Sequence, residues 1–526
     1  MVDLVESVLK FLGPSLSSDV AAELAKRAKI SPATARKRLS RAGGKVRKLA
    51  GVPFARNSRF MYLEQEFGSP LYWSRLAQAL MASNSALGYA IAGLKQCGGM
   101  VPARYFPIIC GAPIRQLKHL APETILQRLS EAGLVKLIAV PGVGDCVALV
   151  QEDQFYQASA VEMRARLITE DILLAAVRDW LRKLGIASYK LVATRERDPL
   201  PQVGTFAWDL SAPSYLGHMV RYTKDGKSKP GFVACDVNLT GDMSATGVMP
   251  FIRKCVTLRA LRNVGPCLQI LVAERFDREA FTLLRSHGII AATPASLFGK
   301  EIAEALRELT SVLVNAAHSL FDAERFDELF QTLGKIHGAS NQLRGTLFEY
   351  LVADVAKRTG MGDVWMNRIF KVPDKGKAEV DVLAVRWNHS ITAIECKGYS
   401  PRATIPDDLF RRWLQHNVPI AYKAMRGHPD YKNLPIVFEF WTSAPISEQS
   451  LALFETAKAA LNENRYMIAL RGPGDVTRIC WDTNEASLIN AFEKHFMLED
   501  GSIPPLARPR ITGRGGFDDA EEDDWS

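Results

Sequence analysis

Asp381 stands fourteen positions ahead of the triplet Glu395-Cys396-Lys397. Both lie in apolar runs, Glu379–Arg386 and Ile391–Lys397, joined by Trp387-Asn388-His389-Ser390. Side chains alternate between the two faces of a strand, so Glu395 and Lys397 share one face while Cys396 takes the other. A hairpin then brings Asp381 to the Glu395 face. Two carboxylates and an ammonium at one spot make a hard-cation site beside a fixed positive charge, which is the chemistry of metal-assisted phosphodiester cleavage. A Glu-x-Lys on a strand is as a rule only an exposed ion pair. Here it follows the apolar Ile391-Thr392-Ala393-Ile394, where burying charge is costly without a partner.

The elements that must position these residues follow from periodicity. The expected order is a helix over Leu343–Thr359, the hairpin 379–397, a helix from about Pro406, a strand Leu434–Thr442, a helix Glu448–Asn462 and a strand Tyr466–Leu470. With its acids and lysine, residues 340–500 resemble the PD-(D/E)xK nuclease superfamily, whose members share the restriction-endonuclease-like fold. The resemblance implies that Asp381 and Glu395 are metal ligands and Lys397 the catalytic lysine. It also implies that Glu349, within Gly345-Thr346-Leu347-Phe348-Glu349, is the further acid on the preceding helix. Gln415, on the helix after the hairpin, is the candidate to orient Lys397 or touch the nucleic-acid backbone. The cofactor implied is Mg²⁺, with Mn²⁺ as a substitute. The activity implied is DNA endonuclease cleavage, in the setting of bacterial restriction or anti-phage defence. The rival readings are a non-catalytic DNA-binding regulator and a nuclease subunit of a larger complex.

Residues 160–300 repeat the same helix, hairpin, strand, helix, strand order, and a second α/β unit of the same kind is expected there. Its hairpin carries Asp209 and then Asp236-Val237-Asn238. The two aspartates retain the capacity to hold a metal. Asn238, where the lysine would fall, supplies neither a cation nor a useful base, so this copy is expected to be degenerate. Residues 301–339 read as a helical connector.

The head of the chain is basic. Residues 1–66 hold thirteen Lys/Arg against six Asp/Glu and read as a winged helix-turn-helix. Ser31 is an N-cap with Pro32 at the first helical position. Arg36, Lys37, Arg38 and Arg41 lie on that second helix, and a hairpin over Val46–Leu63 brings Arg47, Lys48, Arg56 and Arg59, with Lys45 at its start. Such a helix with a basic wing suits phosphate contact on duplex DNA. Residues 67–155 read as a second, less basic module of the same type, suited to protein contact. From residue 501 the chain is expected to be a disordered tail, with six acids among residues 518–524; that tail or the second winged helix is the expected route to a protein partner or a second copy.

The whole chain, at 526 residues, exceeds one core. The fold class expected is multidomain α/β plus winged helix. No apolar run is long enough to cross a bilayer, and no membrane partner is expected. The start lacks the plan of a secretory signal. Eight cysteines without a Cys-x-x-Cys pair suit a reducing cytoplasm. No Gly-x-x-x-x-Gly-Lys-Ser/Thr loop is present, which argues against ATP-driven translocation.

Overall fold

Apolar side chains at helical and strand spacing assemble two compact units, Met1–His318 with Gln331–Ala339, and Ser319–Phe330 with Ser340–Ser526. The structure is a computed structural model that describes residues 4–508, apart from 53, 55, 56, 84, 151, 152, 223, 224, 226, 227, 317–321, 335–338, 374 and 462–464. The protein is a multidomain α/β molecule with mixed sheets. Among the described residues no helix is long and apolar enough to cross a membrane.

The first unit opens with helices Leu4–Leu12, Ser17–Ala28 and Pro32–Arg41, which share a core built from Val8, Leu9, Val20, Leu24, Ala35 and Leu39. Ser31 caps the third helix, its hydroxyl accepting from the Thr34 amide at 3.2 Å. Three short strands complete the module, with Phe60–Leu63 between Ser15–Leu16 and Val46–Lys48. The next module has the same sheet order. Gly144–Leu149 lies between Met100–Pro102 and Val135–Val140, flanked by the helices Pro70–Ala82, Ala86–Gln96 and Pro122–Glu131.

Two five-stranded sheets follow, one in each unit, with a common design. In the first unit the order is Ile290–Ala292, Cys267–Phe276, Gly231–Met243, Leu210–Ser214 and Ala193–Thr194. In the second it is Met467–Arg471, Ile436–Thr442, Ser390–Lys397, Gly376–Arg386 and Asp363–Val372. In both, the first two junctions in that order are parallel and the last two antiparallel. A long helix precedes each sheet, Asp153–Lys183 and Ala339–Arg358. The register places Leu210 opposite Cys235 and Val382 opposite Ile394. One residue further along, Asp209 therefore faces Asp236, and Asp381 faces Glu395.

In the second unit, alternation sends Leu383, Val385, Ile391 and Ala393 into a core with Phe438, Phe440, Trp413 and Val418. Each fully buried large side chain there contributes about 1.5–3 kcal/mol. That core ends where Asp381 and Glu395 begin, so the acids sit at its rim.

Several expectations change. The strand Asp363–Val372 was not foreseen, nor were the helices Pro473–Asp482 and Ala486–Phe496. The region expected as a connector contains the helices Lys300–Ala316 and Ala323–Leu333. The first of these belongs to the first unit, where the hydroxyls of Thr310 and Thr169 on the long helix lie 2.9 Å apart. Residues expected to belong to a tail are part of the fold, because Ala507–Arg508 pairs in parallel with Ile446–Ser447. The acidic run at 518–524 lies outside the described residues.

Candidate active site

Strand alternation in the second unit delivers the expected cluster. The Lys397 ammonium lies 2.8 Å from Glu395 Oε1 and 3.6 Å from Asp381 Oδ2. It also donates to the Cys396 carbonyl at 3.0 Å. Asp381 is fixed from behind, its Oδ2 accepting the Cys396 amide at 2.7 Å. The side chains of Asp381, Glu395 and Lys397 keep 13%, 11% and 19% of their surface, so each is mostly buried without being sealed from solvent. Burial and the neighbouring Asp381 charge push the Glu395 carboxyl up to about 7, against the opposing pull of Lys397. Burial alone would lower the Lys397 pKa, but Asp381 and Glu395 outweigh it and hold the ammonium well above its ordinary range. Lys397 is therefore a fixed cation at neutral pH.

Glu349 is half-buried on the helix Ala339–Arg358, and its charge acts on both Lys397 and Cys396. Gln415 is exposed, within a π-turn over Trp413–Asn417. The side chain from this turn that meets the cluster is Asn417, which lines the same cavity as Glu395 and favours its charged form. That residue was missed because a wide helical turn shifts which positions face inward.

The middle sheet sets its acids in the same register and holds them differently. Asp209 Oδ2 accepts the Val237 amide at 2.8 Å, the counterpart of the bond from Cys396 to Asp381. Glu170, on the long helix, accepts the Leu239 amide at 3.0 Å. Here the expectation that Asp209 and Asp236 retain the capacity to hold a metal is corrected. Arg195 reaches Glu170 at 3.0 Å, Asp209 at 3.4 Å and Asp171 at 2.7 Å. Lys254 pairs with Asp236 and donates to the carbonyls of Ala207 at 2.9 Å and Ile108 at 3.2 Å. Arg195 is 3% exposed and Lys254 is fully buried. Asn238, at the lysine position, donates to Cys97 Sγ at 3.3 Å. Protein cations thus already occupy the space between these carboxylates.

Whether the second-unit cluster suits a divalent cation can be judged from its charges. Among the described residues Asp381 and Glu395 share one cation, Lys397, and burial together with the neighbouring Asp381 charge raises the Glu395 pKa. In the first unit Glu170, Asp171, Asp209 and Asp236 are met by Arg166, Arg195 and Lys254. The second-unit donors are all oxygens, as Mg²⁺ requires, and two carboxylates suffice for an ion that keeps several waters. Among the described residues no group of three or more His, Cys, Asp or Glu is gathered closely enough to hold a metal. Asp381 and Glu395 are therefore only a candidate donor pair, with Glu349 on the neighbouring helix.

The N-terminal basic residues are well presented. Arg36, Lys37, Arg38, Arg41, Lys45, Arg47 and Arg59 are exposed, and Lys48 is partly so. Arg47 is bridged to Glu64 at 2.8 Å, and Lys48 donates to the Ser40 carbonyl at 3.0 Å. Arg56 lies outside the described residues.

Comparison of the chain with protein-family models, curated proteins and solved structures gave no match.

Proposed function

We propose that the protein is a Mg²⁺-dependent DNA endonuclease whose site is Asp381, Glu395 and Lys397. The observation that carries this reading is the meeting of two solvent-reached carboxylates and one ammonium at the rim of a sheet. The strand order and the acid on the preceding helix agree with the PD-(D/E)xK pattern. Asp381 and Glu395 would hold Mg²⁺, which when bound supplies Lewis acidity and a water of lowered pKa.

The residues of the chain do the rest. Lys397 keeps its proton and meets the charge that develops on phosphate oxygens, as a preorganised cation does best in a partly desolvated setting. The Cys396 amide fixes the Asp381 carboxylate, and Asn417 beside Glu395 favours its charged form. The first 66 residues would engage duplex DNA as a winged helix, with Arg36, Lys37, Arg38 and Arg41 toward the phosphates. Three helices and a small sheet in the order 1-3-2 support that assignment.

The test is cleavage of a supercoiled plasmid in Mg²⁺ against EDTA by wild type, Lys397→Ala and Asp381→Ala. The reading expects Mg²⁺-dependent scission lost in both variants. Metal-independent scission, or activity untouched by both substitutions, would reject the site, and no scission at all would favour the DNA-binding regulator.

A further inference from the structure

Antiparallel neighbours need only a short connection, commonly two to five residues. In the second unit that is what joins the strands ending at Arg386 and starting at Ser390. In the first unit the equivalent strands, Leu210–Ser214 and Gly231–Met243, are joined by the whole of residues 215–230. This arm contains a small hairpin of its own, with Arg221–Tyr222 paired to Ser228–Lys229. It is surplus to the fold, yet its base is held. Any Cβ on Gly231 would come within 2.7 Å of Met219, so the arm packs directly on the strand backbone.

The loop 184–191 lies against the base of the arm. The Ser188 amide donates to the Pro213 carbonyl at 2.9 Å, and the Ser214 hydroxyl donates to the Ile186 carbonyl at 2.6 Å. Together these segments expose Tyr189 (73%), Tyr215 (56%) and Tyr222 (76%), and no other tyrosine among the described residues is exposed. Among those residues no aromatic ring packs on any of the three; the Arg182 guanidinium lies 5.3 Å from the Tyr189 ring. Residues 182–191 carry Arg182, Lys183 and Lys190 with no acid, and residues 215–230 carry Arg221, Lys224, Lys227 and Lys229 against Asp225 alone. Lys183, Lys190, Arg221 and Lys229 are exposed and make no ion pair among the described residues.

We propose that this surface, formed by residues 182–191, 215–222 and 228–230, binds single-stranded nucleic acid. Exposed tyrosine rings offer stacking platforms, and the interleaved cations track phosphates. A duplex is a poorer match, because its bases are already stacked on both faces. The partner's biological use rests on the nuclease reading, since an unpaired strand is what such an enzyme would meet at an opened or displaced site. The binding itself does not depend on hydrolysis.

The experiment is fluorescence anisotropy of the full-length protein with a labelled oligo-dT of about twenty nucleotides, and with a labelled duplex, both in EDTA. Wild type is compared with the triple variant Tyr189→Ala/Tyr215→Ala/Tyr222→Ala, the corresponding triple Phe variant, Arg221→Ala/Lys229→Ala and Lys397→Ala. The triple Ala variant should bind the single strand roughly tenfold or more weakly, while the Phe variant keeps the affinity because stacking needs only the ring. The Arg221/Lys229 variant should flatten the dependence of log K on log salt by about 1.4, the value for two lost phosphate contacts on a single strand. No single-strand binding by wild type, an unchanged affinity in the triple Ala variant, or an equal loss on duplex would overturn the proposal. So would altered sedimentation of the triple Ala variant with nucleic-acid binding intact, which would make the surface a protein-docking face. A Lys397→Ala protein that still cleaves plasmid in Mg²⁺ would reject the nuclease reading and leave the single-strand surface standing.

Discussion

In the middle sheet Asp209 and Asp236 meet Arg195 and Lys254, whereas in the C-terminal sheet the one cation that Asp381 and Glu395 meet among the described residues is Lys397. Strand order, register and the amide bond that fixes the first aspartate are common to both. What differs is the source of positive charge. Two buried side chains close the middle site, with Arg195 3% exposed and Lys254 not exposed at all. The C-terminal acids lie at the core rim, 13% and 11% exposed, beside a Lys397 that keeps 19% of its surface. Breaking a buried ion pair leaves an uncompensated charge and is costly. The same arrangement of acids therefore acts as a structural clamp in one place and as a candidate cation site in the other.

The largest effect expected concerns Lys397. Replacing it with Ala should lower Mg²⁺-dependent plasmid cleavage by about 10²–10⁴-fold, with the urea midpoint of the C-terminal unit nearly unchanged. A large loss of stability instead would make Lys397 a clamp like Arg195 and dissolve the contrast. Arg195→Ala should do the reverse and destabilise the first unit by about 3–5 kcal/mol, measured by urea unfolding. A change below about 1 kcal/mol would show that the middle carboxylates do not need their cation.

A third prediction uses pH. Burial, reinforced by Asp209, pushes the Asp236 carboxyl up to about 7 from an ordinary value of 3.8, against the pull of Lys254. The folded state thus holds a proton that the unfolded chain has already released. Its contribution to stability is complete below about pH 4 and is lost as pH rises through about 7. The unfolding free energy of the first unit, read from urea unfolding, should accordingly fall between pH 5 and 8, by at most about 1.4 kcal/mol per pH unit. In Asp236→Asn that slope should vanish, even though the variant is less stable throughout. A slope of the same size in the variant would assign the titration to another group.

The smallest effect expected is at Asn417. Its Ala variant should lose about tenfold in cleavage, as outer-shell partners of metal ligands typically do, while Gln415→Ala changes activity less. Equal losses would restore Gln415 as a contributor.

The hairpin was legible because alternation in Ile391-Thr392-Ala393-Ile394 leads directly into Glu395 and Lys397, and the correspondence of Asp209 and Asp236 followed from the same reasoning. The cap at Ser31-Pro32 was equally plain. The strand Asp363–Val372 was hidden by Asn367, whose φ of 54° lies outside the strand range and which is unpaired between Met366 and Arg368, although the register is the same on both sides. Arg195 could not be found from spacing, since it comes from a loop whose path depends on the assembled sheet. Lys254 did leave a signal. It lies on the helix Ala245–Arg259 among Phe251, Cys255 and Leu258, a lone cation on a buried face, which foretells a buried acid as its partner.

The most direct test of the contrast between the two sheets is a titration of the full-length protein with Mn²⁺ as a reporter for Mg²⁺, followed by electron paramagnetic resonance. It would compare wild type, Asp381→Asn and Asp209→Asn. The account predicts that Asp381→Asn abolishes the tight binding seen in wild type and that Asp209→Asn leaves its stoichiometry and affinity unchanged. Binding that survives Asp381→Asn and disappears in a folded Asp209→Asn protein would contradict it.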